Sequence, residues 1–164
     1  MSEDLPTIEG NVWRFGDDID TDIIIPWEYA HLEPEEYAQH VMEPADESFA
    51  EKVTVGDVVV AGANFGSGSS REHAPIALKK AGIGAVVAES FGRIFYRNAI
   101  NQGLPVVEID REDIGRFEEG DDILIDLEEG TVVNQTRDAT VVFDGYTEPV
   151  RSILAAGGAE QYYS

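Results

Sequence analysis

The chain has 164 residues, 43% of them hydrophobic, and sets 33 acidic side chains against 11 basic ones for a formal net charge of −22. That is long enough to bury one core without staples, too apolar for a disordered segment, and too acidic for a nucleic-acid-binding surface. It has no cysteine and three histidines, which excludes disulfides, thiol nucleophiles and cysteine-held metal clusters within this chain. A carboxylate shell this dense is tolerated best where salt screens it, so a high-salt cytoplasm is expected. No apolar run is long enough to span a membrane and the Met-Ser-Glu-Asp start is not that of a signal peptide, so a soluble, cytoplasmic protein with no membrane partner is expected.

In chain order, residues 12–15 and 22–25 read as strands, and 34–41 as a short helix opened by Pro34. Residues 58–61 read as a buried strand, followed by a polar glycine loop and a helix over about 71–81 that ends before Gly82. Residues 84–88 are a second buried strand, 90–101 a helix closing before Gly103, and 106–109 a third strand. This alternation implies parallel pairing with helical crossovers. Beyond Gly120 the pattern changes to short runs at 123–127, 132–135 and 140–143 separated by turn residues, an antiparallel meander, with a closing helix at 148–156. The fold class expected is therefore α/β, one domain over 1–164, with a parallel sheet portion and an added antiparallel β-meander.

The loop Gly62-Ala-Asn-Phe-Gly-Ser-Gly-Ser-Ser-Arg-Glu-His-Ala-Pro75 carries the most chemistry. Gly66 and Gly68 can adopt positive φ and let backbone N–H groups converge, and a helix start near Ser69 or Ser70 would add unpaired donors and the positive end of its dipole. Arg71 supplies a planar fork suited to a carboxylate. The loop is neither a phosphate-binding Gly-Lys-Ser/Thr loop, nor a dinucleotide fingerprint, nor a nucleophile elbow. A plain serine-capped helix start is the alternative reading. Charge favours a ligand: between Gly62 and Pro105 stand five basic residues (Arg71, Lys79, Lys80, Arg93, Arg97) and two acidic ones (Glu72, Glu89) in an otherwise strongly acidic chain.

Three motifs, Asn64-Phe-Gly-Ser-Gly-Ser-Ser-Arg-Glu-His73, Asp18-Ile-Asp-Thr-Asp-Ile-Ile-Ile-Pro26 and Ser90-Phe-Gly-Arg-Ile-Phe-Tyr-Arg-Asn98, resemble the family of 3-isopropylmalate dehydratase small subunits, the leucine-biosynthesis branch of the aconitase superfamily. The resemblance spans nearly the whole chain and implies the swivelling β/β/α domain. It also implies a hydro-lyase reaction, in which a hydroxy acid loses water to an alkene diacid and regains it at the neighbouring carbon, with a [4Fe–4S] cluster as Lewis acid. Because this chain lacks cysteine, the cluster is expected in a large-subunit partner, in a heterodimer or heterotetramer, and the small subunit alone is expected to be inert.

Matched to the family motif, Ser69 is the candidate base. A serine hydroxyl needs its alkoxide stabilised by N–H groups and a nearby cation to do this work. Ser70 and Arg71, with Gly68, Ser67 and Asn64, are the candidate carboxylate-binding residues, and Asp22 aligns with a family active-site aspartate. Helix capping by Ser70 and turn closure by Asp22 are the alternatives. His73 reads as a structural histidine bonded within the first helical turn; Arg93 and Arg97, at i and i+4, divide between subunit contact and substrate field. Substrate choice is expected to rest on residues 26–33, where His31 is the only potentially cationic group and Trp27, Tyr29 or Leu32 would line a pocket for an isopropyl group. Homoaconitate and citramalate-type substrates, and a non-catalytic carboxylate-binding regulatory module, are the competing readings.

Overall fold

The computed structural model describes residues 5–68 and 72–164. Strand β1 (Thr7–Arg14) is followed by three one-turn helices, α1 (Thr21–Ile24), α2 (Pro34–Tyr37) and α3 (Phe49–Lys52), then by the alternating series β2 (Val58–Val60), α4 (His73–Ala81), β3 (Ala85–Ala88), α5 (Arg93–Asn101) and β4 (Val106–Glu108). Helix α6 (Arg111–Ile114) leads into β5 (Asp122–Asp126), β6 (Thr131–Asn134) and β7 (Ala139–Val142), and the chain closes with α7 (Val150–Ala156) and α8 (Ala159–Tyr163).

The strands form one seven-stranded sheet in the order β4-β3-β2-β1-β5-β6-β7. From β4 to β1 all pairings are parallel, and from β1 through β7 all are antiparallel. The two halves differ as their sequences differ. Every residue of β2 and β3 is buried, as a parallel strand covered on both faces requires, whereas β5 alternates exposed or half-buried positions with buried Ile123 and Ile125. The parallel half and the meander agree with the fold class expected from sequence.

Several details depart from that expectation. Residues 22–25 are not a strand: Asp20 accepts a hydrogen bond from the Ile23 amide at 2.9 Å and caps α1, which buries Ile24. The β-branched run suggested a strand, but the Asp-Thr-Asp step before it supplies a helix start. The helix placed over 71–81 begins, among the described residues, at His73, with Glu72 in the cap position and no side-chain cap. Strand β1 starts at Thr7, five residues before the strand expected at 12–15. Helices α3, α6 and α8 were not anticipated; α3 and α6 have four residues each, too short for a periodic signal. Among the described residues no helix is long and apolar enough to cross a membrane.

The turn between α6 and the meander is held by a buried carboxylate. Asp121 is 3% exposed and accepts from Asn134 Nδ2 at 2.8 Å, Arg137 Nε at 2.8 Å and the Glu118 amide at 2.9 Å. Burial alone would push its carboxyl up, but Arg137, Asn134 and the Glu118 amide outweigh it and hold the group below the ordinary carboxylate value. Its contribution is therefore complete above that ordinary value and is lost as pH falls through the depressed one. Asp121→Asn should destabilise the fold by about 1–3 kcal/mol at pH 7. In urea denaturation the gap from wild type should narrow toward pH 3; a gap independent of pH would contradict this assignment.

Candidate functional site

Strands β1, β2 and β3 are parallel neighbours, so their carboxyl ends open on one edge of the sheet, where α/β proteins place their ligands. Each of the three sequence motifs follows one of these ends: residues 18–26 follow β1, residues 64–68 follow β2, and residues 90–98 follow β3. Backbone hydrogen bonds knit them together. The Gly66 amide donates to Ile19 O at 2.7 Å, the Thr21 amide to Ser67 O at 2.9 Å, and the Gly92 amide to Phe65 O at 2.9 Å. Phe65 and Phe91 form a parallel β-bridge that extends the sheet into the loop.

Local sequence explains the shape. Asn64 and Asp18 both have positive φ, 61° and 57°, which these two residue types tolerate, and Asn64 Nδ2 donates to Asp18 Oδ1 at 3.0 Å. Gly66 lies at φ 79°, with its α-carbon face against the Phe95 ring. Below the loop, Asp17 accepts from the Ala63 amide at 2.8 Å and from Arg111 at 3.0 Å, and Arg111 also pairs with Glu89 at 2.9 Å. The Ala63 amide, followed by the Arg111 guanidinium, holds the Asp17 carboxyl below its ordinary value. Sequence reasoning missed this clamp. Asp17 and Ala63 are 46 residues apart and Arg111 lies further still, and no spacing rule links them.

The expectation that loop amides converge on a ligand needs correcting in detail. The Ala63, Asn64, Phe65, Gly66 and Ser67 amides donate to Asp17, Ser90 Oγ, Ser90 O, Ile19 O and Asn64 O. Those groups build the loop. Among the described residues of 63–68, the Gly68 amide is the one with no protein acceptor, and Gly68 is exposed with φ 109°. Of these amides, that of Gly68 is the one not consumed in building the loop. Ser69, Ser70 and Arg71 lie outside the described residues.

Asp22 is exposed in the single turn of α1, and its Oδ1 accepts from the Trp27 amide at 3.0 Å, which ties the helix to the segment after it. Of the three residues expected to line an apolar pocket in that segment, Tyr29 and Leu32 are engaged elsewhere. Tyr29 stacks on His40 with ring centroids 3.7 Å apart and donates its hydroxyl to Glu43, and Leu32 packs against the core. Trp27, Glu28, Ala30 and His31 instead line an open cleft of about 320 Å³ together with His73. His31 is exposed there; His73 stands edge-on to Tyr37, and its Nδ1 is buried with no hydrogen-bond partner among the described residues, so the expected first-turn bond is absent there. A second cleft, of about 480 Å³, lies between Gly66, Ser67 and Gly68 on one wall and Gly92, Arg93, Ile94 and Arg97 on the other.

The donor set does not suit an iron–sulfur cluster. The chain has no cysteine, and among the described residues no three His, Asp or Glu side chains converge as a metal site.

The family described as the aconitase C-terminal domain matches residues 18–112, which contain all three motifs. The chain is 51% identical over 152 residues to a 3-isopropylmalate dehydratase small subunit of Sulfurimonas denitrificans, covering 92% of this chain and 90% of that protein. It is 54% identical over 152 residues to the one of Nautilia profundicola, with the same coverage. It is 52% identical over 155 residues to small subunit 2 of Archaeoglobus fulgidus, covering 93% and 92%. A crystal structure of 3-isopropylmalate dehydratase from Methanocaldococcus jannaschii superposes with a TM-score of 0.90 at 47% identity, covering 96% of this chain and 93% of that one. These relatives come from varied organisms and give no support to the expected high-salt origin.

Proposed function

The chain belongs to the family of 3-isopropylmalate dehydratase small subunits, and from that premise we propose that it supplies the base and the carboxylate-binding loop to an active site completed by a large subunit. The reaction is a hydro-lyase isomerisation of 2-isopropylmalate and 3-isopropylmalate. The observation that carries this reading is the meeting of three motifs, 18–26, 64–68 and 90–98, at the carboxyl ends of three adjacent parallel strands.

In this reading residues 1–164 act as one swivelling domain in the cytoplasm. An iron–sulfur cluster would have to be held by the large subunit, because thiolate ligands must come from another chain, and there it would supply a Lewis acid for the substrate hydroxyl. Ser69, as its alkoxide, takes the proton from the carbon next to a carboxylate and becomes a hydroxyl, while the C–H electron pair becomes the alkene bond and the substrate hydroxyl leaves as hydroxide; proton and hydroxide together make the one water lost. Addition at the neighbouring carbon reverses these steps. The Gly68 amide, with Ser70 and Arg71, holds a substrate carboxylate and offsets the negative charge that develops as the proton moves. Asp22 fixes the entry to 27–33 through Trp27, and the cleft of His31 and Trp27 receives the substrate's variable end.

The test is co-expression with a cluster-bearing large subunit of this family, anaerobic reconstitution, and comparison of isopropylmalate, homocitrate and citramalate. Turnover should require both chains, with the highest kcat/KM for isopropylmalate. Preference for homocitrate or citramalate would move the assignment to those enzymes. Tight dicarboxylate binding by this chain alone, with no turnover by the pair, would make it a regulatory module instead.

A further inference from the structure

Arg93 and Arg97 lie one turn apart on α5, both exposed, and neither has a hydrogen bond or ion pair among the described residues. The other described arginines are all engaged. Arg111 pairs with Asp17 and Glu89, Arg116 with Asp113, Arg137 with Glu118 and Asp121, and Arg151 with Glu128, while Arg14 donates to the Phe15 carbonyl. In a chain with 33 carboxylates, leaving two adjacent guanidiniums without an acid is a feature of the surface around the loop, not of the protein's charge balance.

Their setting points to a protein rather than a small anion. Ile94, 44% exposed, stands between them, and the three side chains form one wall of the 480 Å³ cleft whose other wall is the Gly66–Gly68 backbone. Trp27, 69% exposed, follows α1, which is itself bonded to the loop through Thr21 and Ser67. Arginine and large apolar side chains together are the composition of interface anchors. Exposed guanidiniums in an open cleft gain little from a solvated anion, and gain much more when a docking surface excludes water around a carboxylate.

We propose that Arg93, Ile94 and Arg97 form part of the docking surface for the large subunit, and that this subunit presents carboxylates to the guanidinium pair. The inference rests on the shared-site reading. Its test is titration of the purified large subunit into the wild-type chain, into R93E/R97E, and into the charge-matched K52E/R116E, at low and high salt. The R93E/R97E dissociation constant should rise by roughly a hundredfold or more at low salt and fall, not rise, as salt screens glutamate from carboxylate, while K52E/R116E stays within about threefold of wild type. Once R93E/R97E is saturated with large subunit, KM for isopropylmalate should match wild type. An unchanged dissociation constant overturns the proposal: with a raised KM the arginines belong to the substrate, and with an unchanged KM they belong to neither. If the wild-type chain itself fails to bind, the shared-site reading falls and takes this proposal with it.

Discussion

Ser69→Ala, assembled with the large subunit, should lower kcat by roughly 10²–10⁴-fold and leave KM within a few-fold of wild type if Ser69 is the base. The proton to be removed is very weakly acidic, so loss of the proposed base falls on the transition state, whereas the carboxylate binding proposed for the Gly68 amide, Ser70 and Arg71 should persist. Arg71→Ala should show the converse emphasis, with KM raised as well as kcat lowered, since a guanidinium on a carboxylate acts in both ground and transition states. Steady-state kinetics on the reconstituted pair separate the two. Full activity in Ser69→Ala would reduce the loop to a docking element.

Gly66→Ala is the second large effect, and it acts on the scaffold. A β-carbon on Gly66 would lie 2.2 Å from Phe95 Cγ and 2.5 Å from Phe95 Cβ, with φ fixed at 79°. Phe95 cannot yield easily, being 2% exposed and packed against Phe65 and Phe91 at ring-centroid distances of 5.3 and 6.0 Å. Overpacking together with the left-handed backbone should cost roughly 2–5 kcal/mol in urea denaturation. Gly68→Ala shares the left-handed strain at φ 109° but its nearest described neighbour is Thr21 Oγ1 at 3.3 Å, so without the overpacking it should be milder in stability. It nonetheless perturbs the amide that the proposed function assigns to a substrate carboxylate. A Gly66→Ala protein as stable as wild type would mean that the loop–helix contact is not as tight as these distances require.

The parts of the structure visible beforehand were those with a local cause. Buried Val and Ala runs marked β2 and β3, glycines and turn residues marked the meander, and the Gly-Ser-Gly spacing marked the loop. Residues 22–25 misled because the apolar Ile-Ile-Ile run outweighed the capping Asp20 in a helix of one turn. The fate of the loop amides could not be read from sequence, since their acceptors, Asp17, Ile19 and Ser90, come from two other strand ends. The same holds for Tyr29, which stacks on His40. Long-range partners decide these questions, and a single sequence does not reveal them.

The structure of the assembled two-subunit enzyme with a dicarboxylate analogue bound tests the central claim most directly. The account predicts that the 64–71 loop faces the large subunit's cluster, with Ser69 Oγ beside the carbon that loses its proton and the Gly68 amide on a ligand carboxylate. A loop turned to solvent, with the ligand held by the large subunit alone, would contradict it.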